Sequence, residues 1–163
     1  MRVYVPGTTR LLMRLHAEGR FDPPVIGRAV TADLRAEFPG ADQEMLEYEA
    51  LADAARASLR LLAEDLALPA RRVVLAVDVP DGAVGSVGGD TSCVEISVPV
   101  MRRDVAAFMI DDLGDVRIVR TAAAEVSERA DRESIDTMVG ALAEVDDLSL
   151  QWYANQELDK ILG

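Results

Sequence analysis

Apolar and polar positions along the chain alternate between helical and strand periodicities. The clearest helical pattern covers residues 42–65, where leucine and alanine recur every three or four positions on one face. The clearest strand covers residues 71–79, whose continuous apolar run is typical of a strand covered on both faces. The pattern therefore predicts helices packed against a central β-sheet.

Shorter patterns on either side of these two elements predict the rest of the secondary structure. In the N-terminal half we expect a strand at 2–6, a helix that Gly19 ends, a strand at 25–30 and a short helix capped by Thr31 or Asp33. In the C-terminal half we expect a loop at 80–92, strands at 94–98 and 107–110, a short helix opened by Pro99, and helices near 113–127, 132–145 and 147–162.

The two halves of the chain have a similar order of predicted elements. Residues 3–6 correspond to 96–99, and residues 46–50 correspond to 150–154. This similarity indicates two pseudo-repeats, roughly 1–68 and 71–163, each a strand–helix–strand–helix unit. The predicted fold is one α/β domain of the α+β type over residues 1–163. It has a small mixed sheet covered by helices, and a ferredoxin-like layout is the nearest common arrangement.

Composition and charge narrow the class of protein. Half of the 163 residues are hydrophobic and 28% are charged, which suits one ordinary globular domain and argues against disorder. The net charge of −12 disfavours binding to nucleic acid or to anionic membranes. A single cysteine, no signal-peptide pattern and no apolar run of about 18 residues favour a cytoplasmic protein without a membrane span.

Few residues point to catalysis. His16 is the only histidine, and Cys93 has no activating neighbour in sequence, so we expect an exposed helix-end histidine and an inert, buried thiol. The glycines between 82 and 89 lead into a strand rather than a helix, which favours a hairpin loop over a phosphate site. Asp78 and Asp111 lie at the ends of predicted strands, but acidic residues are too common here to indicate a metal. We expect no metal and no cofactor.

The last predicted helix carries an unusual set of polar residues. Helical spacing places Gln151 and Asn155 on the same stripe as three leucines, and a buried amide needs hydrogen-bond partners. Under the pseudo-repeat, Glu47 is equivalent to Gln151. One interpretation is a structural polar network. The other is a small-molecule pocket, since pockets combine aromatic walls with a few polar groups. Its predicted lining is Glu47, Tyr48, Gln151, Trp152 and Asn155.

Three hypotheses of function follow from these observations. The leading one is a non-catalytic cytosolic binding or protein-interaction domain, acting as a homodimer, with a protein partner or with a small-molecule ligand. The alternative is a small enzyme that uses carboxylate acid–base chemistry in a pocket near Glu47. The third is a structural subunit of a larger assembly, which would expose a large apolar patch.

Several strings of the sequence resemble an uncharacterised actinobacterial family known only as a domain of unknown function. The similar strings are residues 1–6, 29–31, 47–51, 53–59, 71–80 and 152–158. The resemblance extends over almost the whole chain and implies a cytoplasmic bacterial protein of this size. It implies no activity and no catalytic residue.

Overall fold

The computed structural model describes residues 1–130 and 141–163. Within these residues the α-helices are α1 (Thr9–Glu18), α2 (Ala32–Glu37), α3 (Gln43–Glu64), α4 (Val116–Ala130), α5 (Ala141–Asp146) and α6 (Leu158–Leu162). The strands are β1 (Arg2–Gly7), β2 (Arg20–Phe21), β3 (Val25–Arg28), β4 (Val73–Asp78), β5 (Val84–Ser86), β6 (Cys93–Ile96), β7 (Val100–Met101), β8 (Val105–Ile110) and β9 (Gln151–Ala154).

Seven of these strands form one sheet in the order β5-β6-β3-β1-β4-β8-β9, and β2 pairs with β7 in a separate small sheet. The pairings within the described residues are all antiparallel. The α+β class is therefore confirmed, and the sheet itself is antiparallel where a mixed one was expected. The buried central strand is also confirmed, because residues 73–77 of β4 are all buried.

Helices cover both faces of the large sheet. On one face, α1 and α6 bury Leu12, Leu15 and Leu158 against Val3, Val5 and the same-facing residues of the other strands. On the other face, α2 and α3 bury leucines and alanines against Tyr4, Val74, Ala76 and Met109. A third apolar cluster joins the C-terminal half of α3 to α4 and α5. Helix α3 thus lies between the sheet and two further helices.

The helix ends that were predicted from capping residues and from glycine are confirmed. Asp42 caps α3 by accepting a hydrogen bond from the backbone N–H of Met45 at 2.8 Å. Thr31 caps α2 in the same way, with the N–H of Leu34 at 3.0 Å. Gly19 ends α1 with a φ of 71°, in the left-handed region that glycine adopts without strain.

Three predictions of local structure are wrong. The predicted helix at 147–162 is instead strand β9, a 3-10 turn and the short α6, because β9 pairs with β8 along Gln151–Ala154. Pro99 opens no α-helix; residues 100–101 pair with β2, and a 3-10 helix at Arg102–Asp104 is the helical part of the segment before β8. The predicted loop at 80–92 contains β5, which forms a hairpin with β6. Of the helix expected at 132–145, residues 132–140 lie outside the described residues.

The pseudo-repeat does not hold at its C-terminal end. Residues 46–50 are helical in α3, whereas their supposed equivalents at 150–154 lie mostly in β9. In the sheet, β3 separates β1 from β6, the strand supposed to be equivalent to β1. The correspondence between residues 46–50 and 150–154 is therefore one of sequence and not of secondary structure.

Candidate functional site

An open groove of about 430 Å³ lies between α3 and the segment that leads into β9. Helix α3 contributes one wall because its residues three and four apart share a face. The other wall is residues 146–150, from the last residue of α5 to the residue before β9. The groove is lined by Tyr48, Glu49, Leu51, Ala52, Ala55, Arg56, Arg72, Asp146, Asp147, Leu148, Ser149 and Leu150.

The positive and the negative side chains of this groove differ in how far they form ion pairs. Both of its arginines are held by carboxylates: Arg56 by Asp53 at 3.0 Å and more loosely by Asp146 at 3.7 Å, and Arg72 by Asp111 at 2.7 Å. Glu49 and Asp147 have no ion-pair partner within the part of the chain that the structure describes. The groove therefore presents unmatched negative charge, which suits a cationic ligand.

Tyr48 is the only residue of the predicted pocket that lines this groove. It is 66% exposed on α3, so its ring is available for contact. Glu47, its neighbour, is partly exposed and accepts a hydrogen bond from Nε2 of Gln43 at 3.0 Å. The groove contains the next carboxylate on the helix, Glu49, and not Glu47.

Gln151 and Trp152 lie on β9 at the edge of the sheet. Trp152 is opposite Met109 and so shares the face of the sheet that α3 covers, whereas Gln151 is opposite Ile110 on the other face. Both side chains are exposed, Trp152 at 64%. The prediction that Gln151 follows a buried helical stripe is wrong, because alternation in a strand replaces the helical period.

Asn155 has a structural setting away from the groove. Its Nδ2 donates to the backbone oxygens of Arg102 and Val105, at 2.6 and 2.7 Å. Its Oδ1 accepts a longer hydrogen bond from Nε of Arg102 at 3.3 Å. The amide thus joins the turn after β9 to the turn before β8. The interpretation as a polar network fits Asn155 better than the interpretation as a pocket.

A second polar cluster surrounds Tyr4 on the α3 face of the sheet. Arg2 and Asp78 face each other on β1 and β4 and form two hydrogen bonds of 2.7 and 3.0 Å. The Arg2 guanidinium lowers the pKa of Asp78 through these bonds. Burial, and then the nearby Glu47 carboxylate, raises the pKa of the Tyr4 phenol. The Glu47 carboxylate therefore favours the protonated form of the Tyr4 phenol.

The chain matches the model of one protein family over residues 1–162, and that family is described as a family of unknown function, DUF6912. The chain belongs to the DUF6912 family. The resemblance to a domain of unknown function is thereby confirmed. The actinobacterial origin that it implied stays a prediction. No curated protein and no solved structure matches the chain.

The other candidate residues of this DUF6912 chain are two aspartates, one cysteine and one histidine. Asp111 is fully buried with Arg72, and Asp78 pairs with Arg2 at the surface, so the two carboxylates expected near strand ends serve separate ion pairs. Cys93 is a buried free thiol, as predicted. His16 is half exposed, with Nδ1 at 3.0 Å from Asp159. Residues 1–130 and 141–163 contain no cluster of three or more metal-ligating side chains.

Sequence reasoning missed the carboxylates that distinguish the groove in this DUF6912 chain. In the sequence, Glu49 is one polar residue within the helical pattern at 42–65, and Asp146 and Asp147 lie at the predicted boundary of the helix at 147–162. No local signal joins them, because the apolar neighbours of Glu49 pack in one cluster and those of Asp146 and Asp147 in another. Among the described residues, no helix has the length and apolar character needed to cross a membrane.

Proposed function

We propose that this DUF6912 chain is a non-catalytic protein-interaction domain and that the groove beside α3 binds a basic segment of a partner protein. The unmatched carboxylates of Glu49 and Asp147 are the observation that carries the proposal. The two arginines of the groove are already neutralised by carboxylates, so an incoming anion would meet a surface of its own sign.

The aromatic residues around the groove support the same class of ligand. Tyr48 lies in the groove with two thirds of its surface exposed, and Trp152 is similarly exposed on the same face of the sheet. Arginine and lysine are attracted to the faces of such rings, with a gain of about 0.5–1 kcal/mol at an exposed site. A partner with alternating basic and apolar residues would therefore use both the charges and the rings.

Calorimetric titration with a defined peptide tests this proposal. The probe is acetyl-Arg-Val-Arg-Val-Arg-Val-amide, and the comparison probe has glutamate in place of arginine. We expect binding of the basic peptide only, weakening as sodium chloride is raised because exposed charges are screened. Binding that is absent, or equal for the two peptides, would contradict the proposal.

Matched variants locate the binding surface. The double variant Glu49→Gln, Asp147→Asn should bind the basic peptide about tenfold more weakly, since each exposed ion pair contributes up to about 1 kcal/mol. The control is Asp33→Asn, Glu64→Gln, which changes the net charge equally at exposed positions outside the groove. An equal loss in both would mean that general charge, and not the groove, attracts the peptide.

An enzyme that uses carboxylate acid–base chemistry near Glu47 is the second candidate. The observation that favours it is that the Glu47 carboxylate, after burial, raises the pKa of the Tyr4 phenol. A panel of p-nitrophenyl esters, phosphates and glycosides tests it. Turnover that disappears in Glu47→Gln and persists in Asp147→Asn would support this candidate, and no turnover across the panel would count against it.

A further inference from the structure

Within residues 1–130 and 141–163, strand β9 forms one edge of the seven-stranded sheet, and its own four residues carry none of the features that usually protect an edge. Natural edge strands carry charged residues, proline or a bulge that prevent pairing with other chains. The sequence of β9 is Gln-Trp-Tyr-Ala, without charge or proline, and its pairing with β8 is regular over all four residues. The opposite edge, β5, has three residues with a glycine at its centre.

Two hydrogen bonds determine which backbone groups of β9 point outward. The N–H of Asp111 donates to Arg72 O at 3.2 Å, toward β4, so the alternate residues Phe108 and Ile110 direct their backbone groups toward β9. At the other end, the N–H of Ala154 donates to Oε2 of Glu157 at 2.8 Å and not to β8. Both bonds indicate that the backbone groups of Gln151 and Tyr153 are the ones that pair with β8.

The backbone N–H and C=O of Trp152 therefore point away from the sheet, because successive residues of a strand direct these groups to opposite sides. The turn closed by Glu157 already uses the N–H of Ala154. The open edge is thus centred on Trp152. Leu150, two residues earlier, packs in the apolar cluster under α3 and lines the groove, so groove and open edge are continuous.

We propose that the β9 edge accepts an extended segment of a basic partner protein as an additional strand. The proposal rests on the proposed function, since the groove beside the edge supplies the charge that selects the partner. In such pairing the main-chain hydrogen bonds supply affinity, and the alternate side chains supply specificity. Side chains on the α3 face of the new strand would lie beside Trp152, Glu49 and Asp147.

Charge distinguishes this occupant from a second copy of the chain. A second copy would bring a further net charge of −12 to an edge flanked by Asp146 and Asp147. Like charges across an interface oppose association, whereas a basic segment meets the carboxylates with the opposite sign. Only a partner of positive charge satisfies both the open backbone groups and the unmatched carboxylates.

Amide hydrogen exchange of the full chain with acetyl-Arg-Val-Arg-Val-Arg-Val-amide tests the proposed pairing. The peptide should slow exchange of the Trp152 amide by about tenfold, because that N–H becomes hydrogen-bonded. The Tyr153 amide is the internal control, since it already faces β8 and should change little. Protection that appears at Tyr153 alone, or at neither residue, would overturn the proposed pairing.

The same peptide N-methylated at every residue separates pairing from charge. It keeps its arginines and loses its backbone donors, so it should bind about tenfold more weakly and leave Trp152 unprotected. Equal binding of the two peptides, without protection of Trp152, would overturn the added strand and leave the groove proposal standing. No binding of either peptide would remove both. Protection of Trp152 that rises with protein concentration alone would assign the edge to a second copy and overturn the basic partner.

Discussion

Arg72 and Asp111 form a bidentate ion pair that is almost completely buried. Nε and Nη2 of Arg72 donate to the two carboxylate oxygens at 2.9 and 2.7 Å, and the side chains are 3% and 0% exposed. The backbone N–H of Arg72 donates to the same carboxylate at 2.7 Å. The pair thus joins the residue before β4 to the residue after β8, under the floor of the groove.

Removing this carboxylate should destabilise the fold strongly. We expect Asp111→Ala to lower the free energy of unfolding by about 3–5 kcal/mol, because a buried guanidinium loses its counter-charge. Urea denaturation measures the change. The control is Asp78→Ala, which breaks the exposed pair with Arg2 and should cost about 0–1 kcal/mol. Similar losses in the two variants would contradict the role of burial.

The hydroxyl of Ser58 bridges the backbones of β1 and β4 at the end of their pairing. Gly7 and Val73 are register partners, and the fully buried hydroxyl of Ser58 donates to Gly7 O at 2.7 Å and accepts from Val73 N–H at 2.9 Å. Ser58→Ala leaves both backbone groups unpaired, so we expect a loss of about 1–3 kcal/mol in urea denaturation. The exposed Ser86→Ala should change stability little, and a harmless Ser58→Ala would show that water replaces the hydroxyl.

Gly27 permits close approach of β3 to β1. A Cβ at this position would overlap the side chain of Val3 and lie 3.2 Å from Tyr4 O. Gly27→Ala should therefore lower the melting temperature, with a cost of about 1–3 kcal/mol for overpacking. Gly85→Ala is the matched control, because its Cβ would meet no atom within 4 Å. A Gly27→Ala melting temperature no lower than that of Gly85→Ala would show that Val3 shifts freely.

Asn155 should matter for stability and not for binding. Asn155→Asp places carboxylate oxygens against the carbonyls of Arg102 and Val105, which should cost about 1–3 kcal/mol. Gln151→Glu introduces the same charge at an exposed position of β9 and should change the free energy of unfolding by no more than about 0.5 kcal/mol. Chemical denaturation checks both values. Stability unchanged in Asn155→Asp, combined with lost peptide binding, would return Asn155 to the binding site.

The Tyr4 phenol should make stability depend on alkaline pH. Burial first, and the Glu47 carboxylate second, raises its pKa above the ordinary 10.0. The unfolded chain therefore loses this proton at a lower pH than the folded chain. The stabilisation is fully present below the unfolded pKa and is lost as the pH rises through the folded pKa.

Unfolding free energies measured from about pH 9 upward test this dependence. Tyr4→Phe cannot ionise, so its stability should fall less steeply over that range than the stability of the unchanged chain. Tyr48→Phe is the control, because the Tyr48 ring is exposed. Parallel slopes for the unchanged chain and Tyr4→Phe would contradict the raised pKa.

Local chemistry determined which elements could be predicted. The end of α1 at Gly19, the start of α3 at Asp42 and the buried run of β4 depend on caps, glycine and apolar periodicity, which act over a few residues. The predicted helix at 147–162 is wrong because residues 151–154 fit the apolar periodicity of a helix as well as that of a strand. Pairing with β8, about 45 positions earlier, decides between the two.

The candidate site was harder to predict for the same reason. Tyr48 belongs both to the predicted pocket and to the lining of the groove, whereas Glu49 and Asp147 come together only because residues 146–150 turn back toward α3. Their importance also depends on Arg56 and Arg72 being neutralised by other carboxylates. A single sequence does not reveal which of its many charges are already paired.

The strand order has a consequence for how fast the chain folds. Neighbours in the sheet such as β1 and β4, or β3 and β6, are about 70 positions apart, so most of the sheet cannot form as local hairpins. Chains with such distant pairings fold slowly, within about milliseconds to seconds. Until β1 and β8 enclose it, the apolar run of β4 stays open to other chains, and refolding should yield most in dilute solution.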